Sequence, residues 1–195
     1  GYARHGKDTV ADMLRDDFGF HFVSSSYFMA ERVILPKMLE AWDRWEDPER
    51  GRNVAQPPWP RYADLDACYE DRVNHRQFWY DTIAAANEED PAYLSTEIFK
   101  ECDLYVGNRN PREFHAAKCA VLFDFSVWVD RSEHVEPEPA TSNKIEPWMC
   151  DYILDNNGTL EHTRRNINRL METMVHLAAR GNSWRHNPEG NTSNG

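Results

Sequence analysis

No stretch of this chain approaches the ~18 consecutive apolar residues that a membrane-spanning helix needs, and no signal-peptide pattern opens it. There is no C-x-x-C pair either. Cys68, Cys102, Cys119 and Cys150 are scattered, which fits core thiols in a reducing compartment better than a disulfide framework or a zinc site. Positive charge is short: 22 Lys and Arg stand against 33 Asp and Glu, for a net charge of −11. A polynucleotide binder carries a basic field, so nucleic acid is excluded as a general partner. Small anions are not excluded, because a few local Arg and Lys residues can serve them. No internal repeat is present. The expectation is a soluble, cytoplasmic protein with no membrane and no nucleic-acid partner.

What is there suits one globular domain. The 195 residues are 41% hydrophobic and 12% aromatic, enough for a sizeable core. After an opening loop, Val10, Met13, Leu14 and Phe18 fall near helical spacing, and Gly19 stops that helix. "FHFVSSSYF" reads as a short strand followed by serines able to cap the next helix, in which Pro36 predicts a kink. Residues 43 to 63 carry Pro57, Pro58 and Pro60 and read as a long surface loop. A helix is expected from Asp64 through Ala86, then a short one between Pro91 and Cys102. Apolar strands are expected in "DLYVGNRNP", "VLFDFSVWVDRS" and "DYILDNNGTLEH", with a helix in "REFHAAKCA". A last helix from about Thr159 to Ala179 places Leu160, Ile167, Leu170, Met171, Met174 and Leu177 on one face. Strands alternating with helices predict an α/β fold, a parallel sheet covered by helices on both faces.

The opening stretch "GYARHGKDTVADML" contains G-x-x-x-x-G-K, from Gly1 through Arg4, His5 and Gly6 to Lys7. Such a loop wraps its backbone N–H groups around phosphate oxygens. The following helix adds partial positive charge, and the lysine reaches the outer phosphates. The position after the lysine, usually Ser or Thr, is Asp8, and Thr9 comes one later. Thr9 supplies a phosphate or metal-shell hydroxyl. Asp8 can reach Mg²⁺ through water or serve as a first-turn acid favoured by the helix dipole. A buried strand normally feeds such a loop. None precedes Gly1 here, so the expectation is a missing first strand and a gap in mid-sheet flanked by unpaired edges.

The Gly-Lys-x-Thr form resembles nucleoside monophosphate kinases, and "GKDT" in particular resembles the deoxynucleoside monophosphate kinases of bacteriophages. The resemblance reaches three further stretches. "LYVGNRNPREF" looks like the segment in which such kinases present an arginine to a nucleotide phosphate, here Arg109; Gly107 stands where many relatives carry an acid. "VWVDRSEHVEPEPATSNKI" looks like the strand and lid-type loop, with Arg131 just past the strand and Lys144 near the loop's end. "CDYILDNNGTLEH" looks like the turn near the donor adenine in these enzymes and in dephospho-coenzyme A kinase, with Asn156, Asn157 and Gly158 matching it.

What the resemblance implies is a single P-loop kinase domain over 1–180. It would carry an acceptor-binding insertion around 37–95, a lid-type loop around 131–147, and a disordered tail over 181–195. The cofactors implied are ATP and Mg²⁺, the partners are small-molecule nucleotides, and the compartment is the host cytoplasm if the chain is viral. Lys7, Arg109 and Arg131 would act on the transferring group. Gly1, Arg4, His5, Gly6, Lys7, Asp8, Thr9, Asn157 and Gly158 would hold the donor, with Thr9 and Asp8 toward the metal. On the acceptor side, Arg72 and Arg76 lie four apart. On one helix face they would hold a monophosphate together with Arg109; salt bridges to Glu70, Asp71 or Asp81 are the alternative. Phe78, Trp79 and Tyr80 could wall a base or belong to the core, and "SSSYF" could line the same pocket. A homodimer is left open. A kinase of another small acceptor, such as dephospho-coenzyme A, and a non-catalytic nucleotide-binding module remain the rival readings.

Overall fold

In a computed structural model of the chain, residues 1–2, 4–47, 49, 54–136 and 144–179 are described, the last three as backbone only. The expected tail over 181–195 and positions 137–143 of the lid-type loop lie outside the described residues. Helix α1 (Lys7–Phe18) begins at Gly6 and ends at Gly19, whose N–H bonds the Arg15 carbonyl at 2.9 Å. Val10 and Met13 are buried on its inner face, whereas Phe18 is 40% exposed. Strand β1 (Phe22–Ser24) runs directly into α2 (Ser25–Met29). Ser24 caps that helix by accepting the Tyr27 N–H at 3.2 Å, as the serine run predicts.

The disturbance expected at Pro36 takes a specific form. Residues Ala30–Ile34 make a π-helical turn between α2 and α3 (Leu35–Glu46). Proline has no N–H, and its ring crowds the carbonyl four residues back. A widened turn ahead of it absorbs both effects while the helical backbone continues. Buried Met29, Ala30, Ile34 and Met38 line its inner side. Because α3 reaches Glu46, the expected loop starts later than residue 43. Its described part is anchored: Trp59 packs 4.6 Å from Phe78, and Tyr62 is buried.

The helix expected over 64–86 is broken. α4 (Leu65–Glu70) passes into a 3-10 turn (Asp71–Val73), His75 leaves helical geometry, and α5 (Arg76–Ala86) starts afresh. The Asp71 carboxylate sits at the break. It accepts the Tyr62 hydroxyl at 2.7 Å and the Asn74 amide, and lies 3.1 Å from His75 Nε2. Short polar side chains that bond locally offer the chain an alternative to the helical ladder, and here the alternative wins.

After α6 (Tyr93–Phe99) come β2 (Leu104–Val106), α7 (Pro111–Cys119), β3 (Val127–Asp130), a 3-10 turn (Pro147–Met149), β4 (Tyr152–Asp155) and α8 (Leu160–Ala179). β1 pairs with β2 and β3 with β4, both parallel, in the registers Val23↔Tyr105 and Val129↔Leu154. β1 and β2 are joined through helices α2 to α6, whereas the described residues between β3 and β4 hold only the 3-10 turn Pro147–Met149. The α/β character and the parallel pairing follow the sequence. The single continuous sheet does not: the described residues hold two separate two-stranded sheets. Helix α1 spans them, touching β1 and β2 while Val10 and Met13 share a core with Val129, Leu154, Ile167 and Leu170. Phe114 of α7 covers the opposite face of β3 at Trp128. Leu160, expected on the buried face of α8, is 61% exposed; it is the first residue of the helix, and Thr163 takes the buried position. Among the described residues no helix is long and apolar enough to cross a membrane.

Candidate functional site

The opening loop closes onto the carboxyl ends of β3 and β4, where ligands gather in open α/β sheets. Gly6 sits at φ 80°, ψ 27°, a conformation that costs a residue with a Cβ ~1 kcal/mol or more. A Cβ added there would also lie 2.4 Å from Asn156 Nδ2. At Gly1 the constraint is contact: a Cβ would lie 2.1 Å from the Val129 carbonyl oxygen. Arg4, exposed, also has positive φ, at 62°. Lys7 opens α1 and turns back over the loop, its Nζ donating to the Tyr2 carbonyl at 2.6 Å. Asp8 is exposed on the first turn of α1 and Thr9 half-buried beside it.

Three buried groups fasten this loop. Asn156, 1% exposed just past β4, donates through Nδ2 to the His5 carbonyl at 2.8 Å and accepts the Thr163 hydroxyl of α8. Its backbone N–H bonds the Asp130 carbonyl at 2.7 Å. One side chain thus joins the loop, the end of β4 and α8. His5 is unexposed and lies against β3, with Nδ1 at 3.0 Å from the Arg131 N–H nitrogen and 3.2 Å from the Val129 oxygen. Burial pushes the imidazole pKa down, against the pull of the Val129 carbonyl, and keeps the ring neutral.

Arg131 therefore stands immediately beside the loop, half-buried, at the end of β3. The turn that carries it is held by Asp130, whose carboxylate takes the Ser132 N–H at 3.3 Å and hydroxyl at 3.0 Å. Asn157 ties the same turn to the end of β4. Its Nδ2 donates to Asp130 at 3.2 Å and Asp155 at 2.9 Å, and its Oδ1 accepts the Glu133 N–H at 3.0 Å. The Asn157 N–H also bonds Asp155 and depresses that carboxyl's pKa. The donor-side role expected for Asn157 is thus occupied, in this conformation, by bonds that position residues 130–134. Gly158 packs against the His162 ring, with no room for a Cβ.

Arg109 lies in the turn between β2 and α7, exposed, and its carbonyl accepts the Lys144 N–H at 3.1 Å. This contact brings together the arginine turn and the returning end of the lid-type loop, 35 residues apart in sequence. The turn is shaped by Asn110, which caps α7 by accepting the Arg112 N–H at 3.0 Å, and by Pro111 in the first turn.

The acceptor-side pair is not brought together. Arg72 lies in the 3-10 turn. Its guanidinium sits 3.9 Å from the centre of the Tyr69 ring and donates to the Tyr69 carbonyl at 2.7 Å. Arg76 begins α5 and is exposed. The shared helix face assumed for them does not exist because the helix breaks at 74–75. Arg72 instead joins the serine segment, since the Tyr69 hydroxyl lies 3.5 Å from Ser24 Oγ and 3.4 Å from Ser26 Oγ. The expected salt bridges are not the outcome for Arg72 either. Trp79 is buried in the core and Phe78 packs against it, while Tyr80 is 69% exposed.

Asn156 as a clamp, Thr163 as its partner and Asp130 as the turn's anchor were not legible as site residues. One signal existed. Thr163 falls on the apolar stripe of α8, at the 163–167–170 spacing, and a single hydroxyl on such a stripe asks for a buried partner. Two clefts lie elsewhere: a polar one lined by Asn87, Glu88, Arg112 and Glu113, and an apolar one lined by Phe18, Met171 and Val175. Among the described residues no group of three or more His, Cys, Asp or Glu is placed to hold a metal. Compared with family models, curated proteins and solved structures, the chain matches none.

Proposed function

We propose that this chain is an ATP-dependent phosphotransferase of the P-loop kinase fold, moving the γ-phosphoryl group to a (deoxy)nucleoside monophosphate. The observation that carries the reading is the loop at α1. A left-handed glycine, a lysine and a helix start of twelve residues converge at the carboxyl ends of β3 and β4, fixed there by buried Asn156. Rigid backbone donors at a helix N-terminus suit phosphate oxygens, and Gly6 lets the loop backbone close onto the Asn156 amide that fixes it.

In this reading the loop N–H groups and Lys7 hold the β and γ phosphates of ATP. Lys7 would exchange the Tyr2 carbonyl for phosphate oxygen. Arg131, beside the loop, neutralises charge that builds on the transferring group, and Arg109 approaches from the β2 side. Phosphoryl transfer is mostly positioning plus charge stabilisation, so no general base is assigned; an acceptor phosphate oxygen is already a competent nucleophile. Thr9 and Asp8, at the start of α1, are the groups that would hold Mg²⁺, which would supply charge stabilisation at the donor phosphates. On the acceptor side Arg72, stacked on Tyr69 beside Ser24 and Ser26, is the stronger candidate.

The test is a coupled assay for diphosphate formation from ATP, Mg²⁺ and each monophosphate in turn, beside Lys7→Ala. Transfer to one or two monophosphates, reduced ~10³-fold or more in the variant, supports the reading. Gly107 in place of an acid, and the lack of a metal-holding cluster among the described residues, favour one rival, the non-catalytic nucleotide-binding module. ATP binding without transfer to any acceptor would select it.

A further inference from the structure

Residue Asp130 has neighbours on β3 whose backbone groups point away from β4: the Val129 carbonyl and the Arg131 N–H. In a parallel ladder one residue of the adjacent strand serves both, donating to the first and accepting from the second. Here a single side-chain atom occupies that place. His5 Nδ1 lies 3.2 Å from the Val129 oxygen and 3.0 Å from the Arg131 nitrogen. One ring nitrogen cannot both donate and accept. The Arg131 N–H points at Nδ1, and a backbone N–H left without a partner is rarer in buried surroundings than an under-used carbonyl. Nδ1 is therefore the acceptor, and the proton sits on Nε2, which is buried with no hydrogen-bond partner among the described residues.

We propose that His5 is a positioning residue: its neutral imidazole substitutes for strand backbone at the edge of β3 and fixes Arg131 relative to the phosphate loop. The His5 carbonyl is held by Asn156 and its ring stands edge-on to Tyr2 at 5.4 Å. Tyr2 in turn packs edge-on to Trp128 of β3 at 5.2 Å. The ring is thus packed between Tyr2 and β3, and through it the loop meets the Arg131 backbone directly. The inference rests on the phosphotransferase reading for its consequence, though not for its geometry. A misplacement of about 1 Å near a transferring group can cost ~10²-fold in rate.

Two variants of the full chain separate positioning from bulk stability. Asn presents an acceptor where Nδ1 lies, so His5→Asn keeps the bond; His5→Leu fills the volume without it. Amide hydrogen exchange at Arg131 should quicken ~10-fold or more in His5→Leu and stay near wild type in His5→Asn, with Ile167 and Leu170 unchanged in both. Turnover should fall ~10- to 100-fold in kcat for His5→Leu, with KM for ATP within ~3-fold, and recover largely in His5→Asn. Unchanged exchange at Arg131 in His5→Leu, or equal quickening across the molecule, would overturn the proposal. If the wild-type chain transfers no phosphate, the kinase reading fails while the exchange result still decides the role of His5.

Discussion

The two halves of the candidate site are built differently. Around the loop, polar groups are tied to one another and the central ones are buried: Asn156 holds the His5 carbonyl and Thr163, and His5 meets the Arg131 N–H, while Asn157 joins Asp130 and Glu133 nearer the surface. Around Arg72 the contacts are a half-buried stack on Tyr69, one bond to the Tyr69 carbonyl, and two long contacts from the Tyr69 hydroxyl to Ser24 and Ser26. A buried network is costly to leave half-made, so it specifies one arrangement. The half-buried stack on Tyr69, with fewer bonds to lose, can rearrange at less expense. In the proposed function, a rigid loop half would hold one nucleotide fixed while an adaptable half around Arg72 would admit another.

The sharpest way to break that contrast is to cut the buried half at its centre. Asn156→Ala removes the side-chain donor from the buried His5 carbonyl and leaves the Thr163 hydroxyl with only its 3.2 Å bond to the Thr159 carbonyl. Urea unfolding should show a loss of about 2–4 kcal/mol, and residual folded protein should bind ATP poorly. A loss below ~1 kcal/mol would mean that the donor half is no more specified than the acceptor half.

The acceptor half predicts a graded outcome. Arg72→Ala should raise KM for the monophosphate ~10-fold with little change in thermal midpoint, whereas Arg76→Ala should change it less than ~2-fold. Equal effects would restore the paired-arginine site that the break at 74–75 argues against.

The smallest effect concerns the base of β3 and β4, away from both halves. Asp151 accepts the Ser126 N–H at 2.9 Å and hydroxyl, and pairs with Lys118 at 3.1 Å. Burial pushes its carboxyl upward, but those bonds outweigh burial and leave the pKa below its ordinary 3.8. A depressed carboxyl stabilises the fold above its unfolded value and loses that contribution as pH falls through the folded one. Asp151→Asn should therefore lower the thermal midpoint by a few degrees at pH 7, and the difference should shrink as the pH drops below about 3.8.

Much of the local structure around the loop was legible because its signals are local. Glycine at the start and end of α1, serines before α2, and Asn-Asn-Gly after an apolar strand each mark a boundary through backbone geometry that other residues adopt at a cost. Parallel pairing followed from strands alternating with helices. What was not legible depended on contacts distant in sequence. The break at 74–75 comes from Asp71 meeting Tyr62 and His75, and periodicity alone ran a helix through it. The pairing of Arg72 with Arg76 failed with that helix. The π turn before Pro36 was announced as a disturbance, but its type depends on the buried run from Met29 to Met38. Asn156 as a clamp depends on α8 returning past the loop, which no spacing within residues 150–158 reveals.

The most direct measurement is calorimetric titration of ATP with Mg²⁺ into the wild-type chain and into Lys7→Ala. Saturable one-site binding that weakens ~100-fold or more in the variant, while thermal stability is kept, is the predicted result. Equal affinity in both proteins, or no binding to the wild-type chain, would contradict the assignment of the α1 loop as the nucleotide phosphate site.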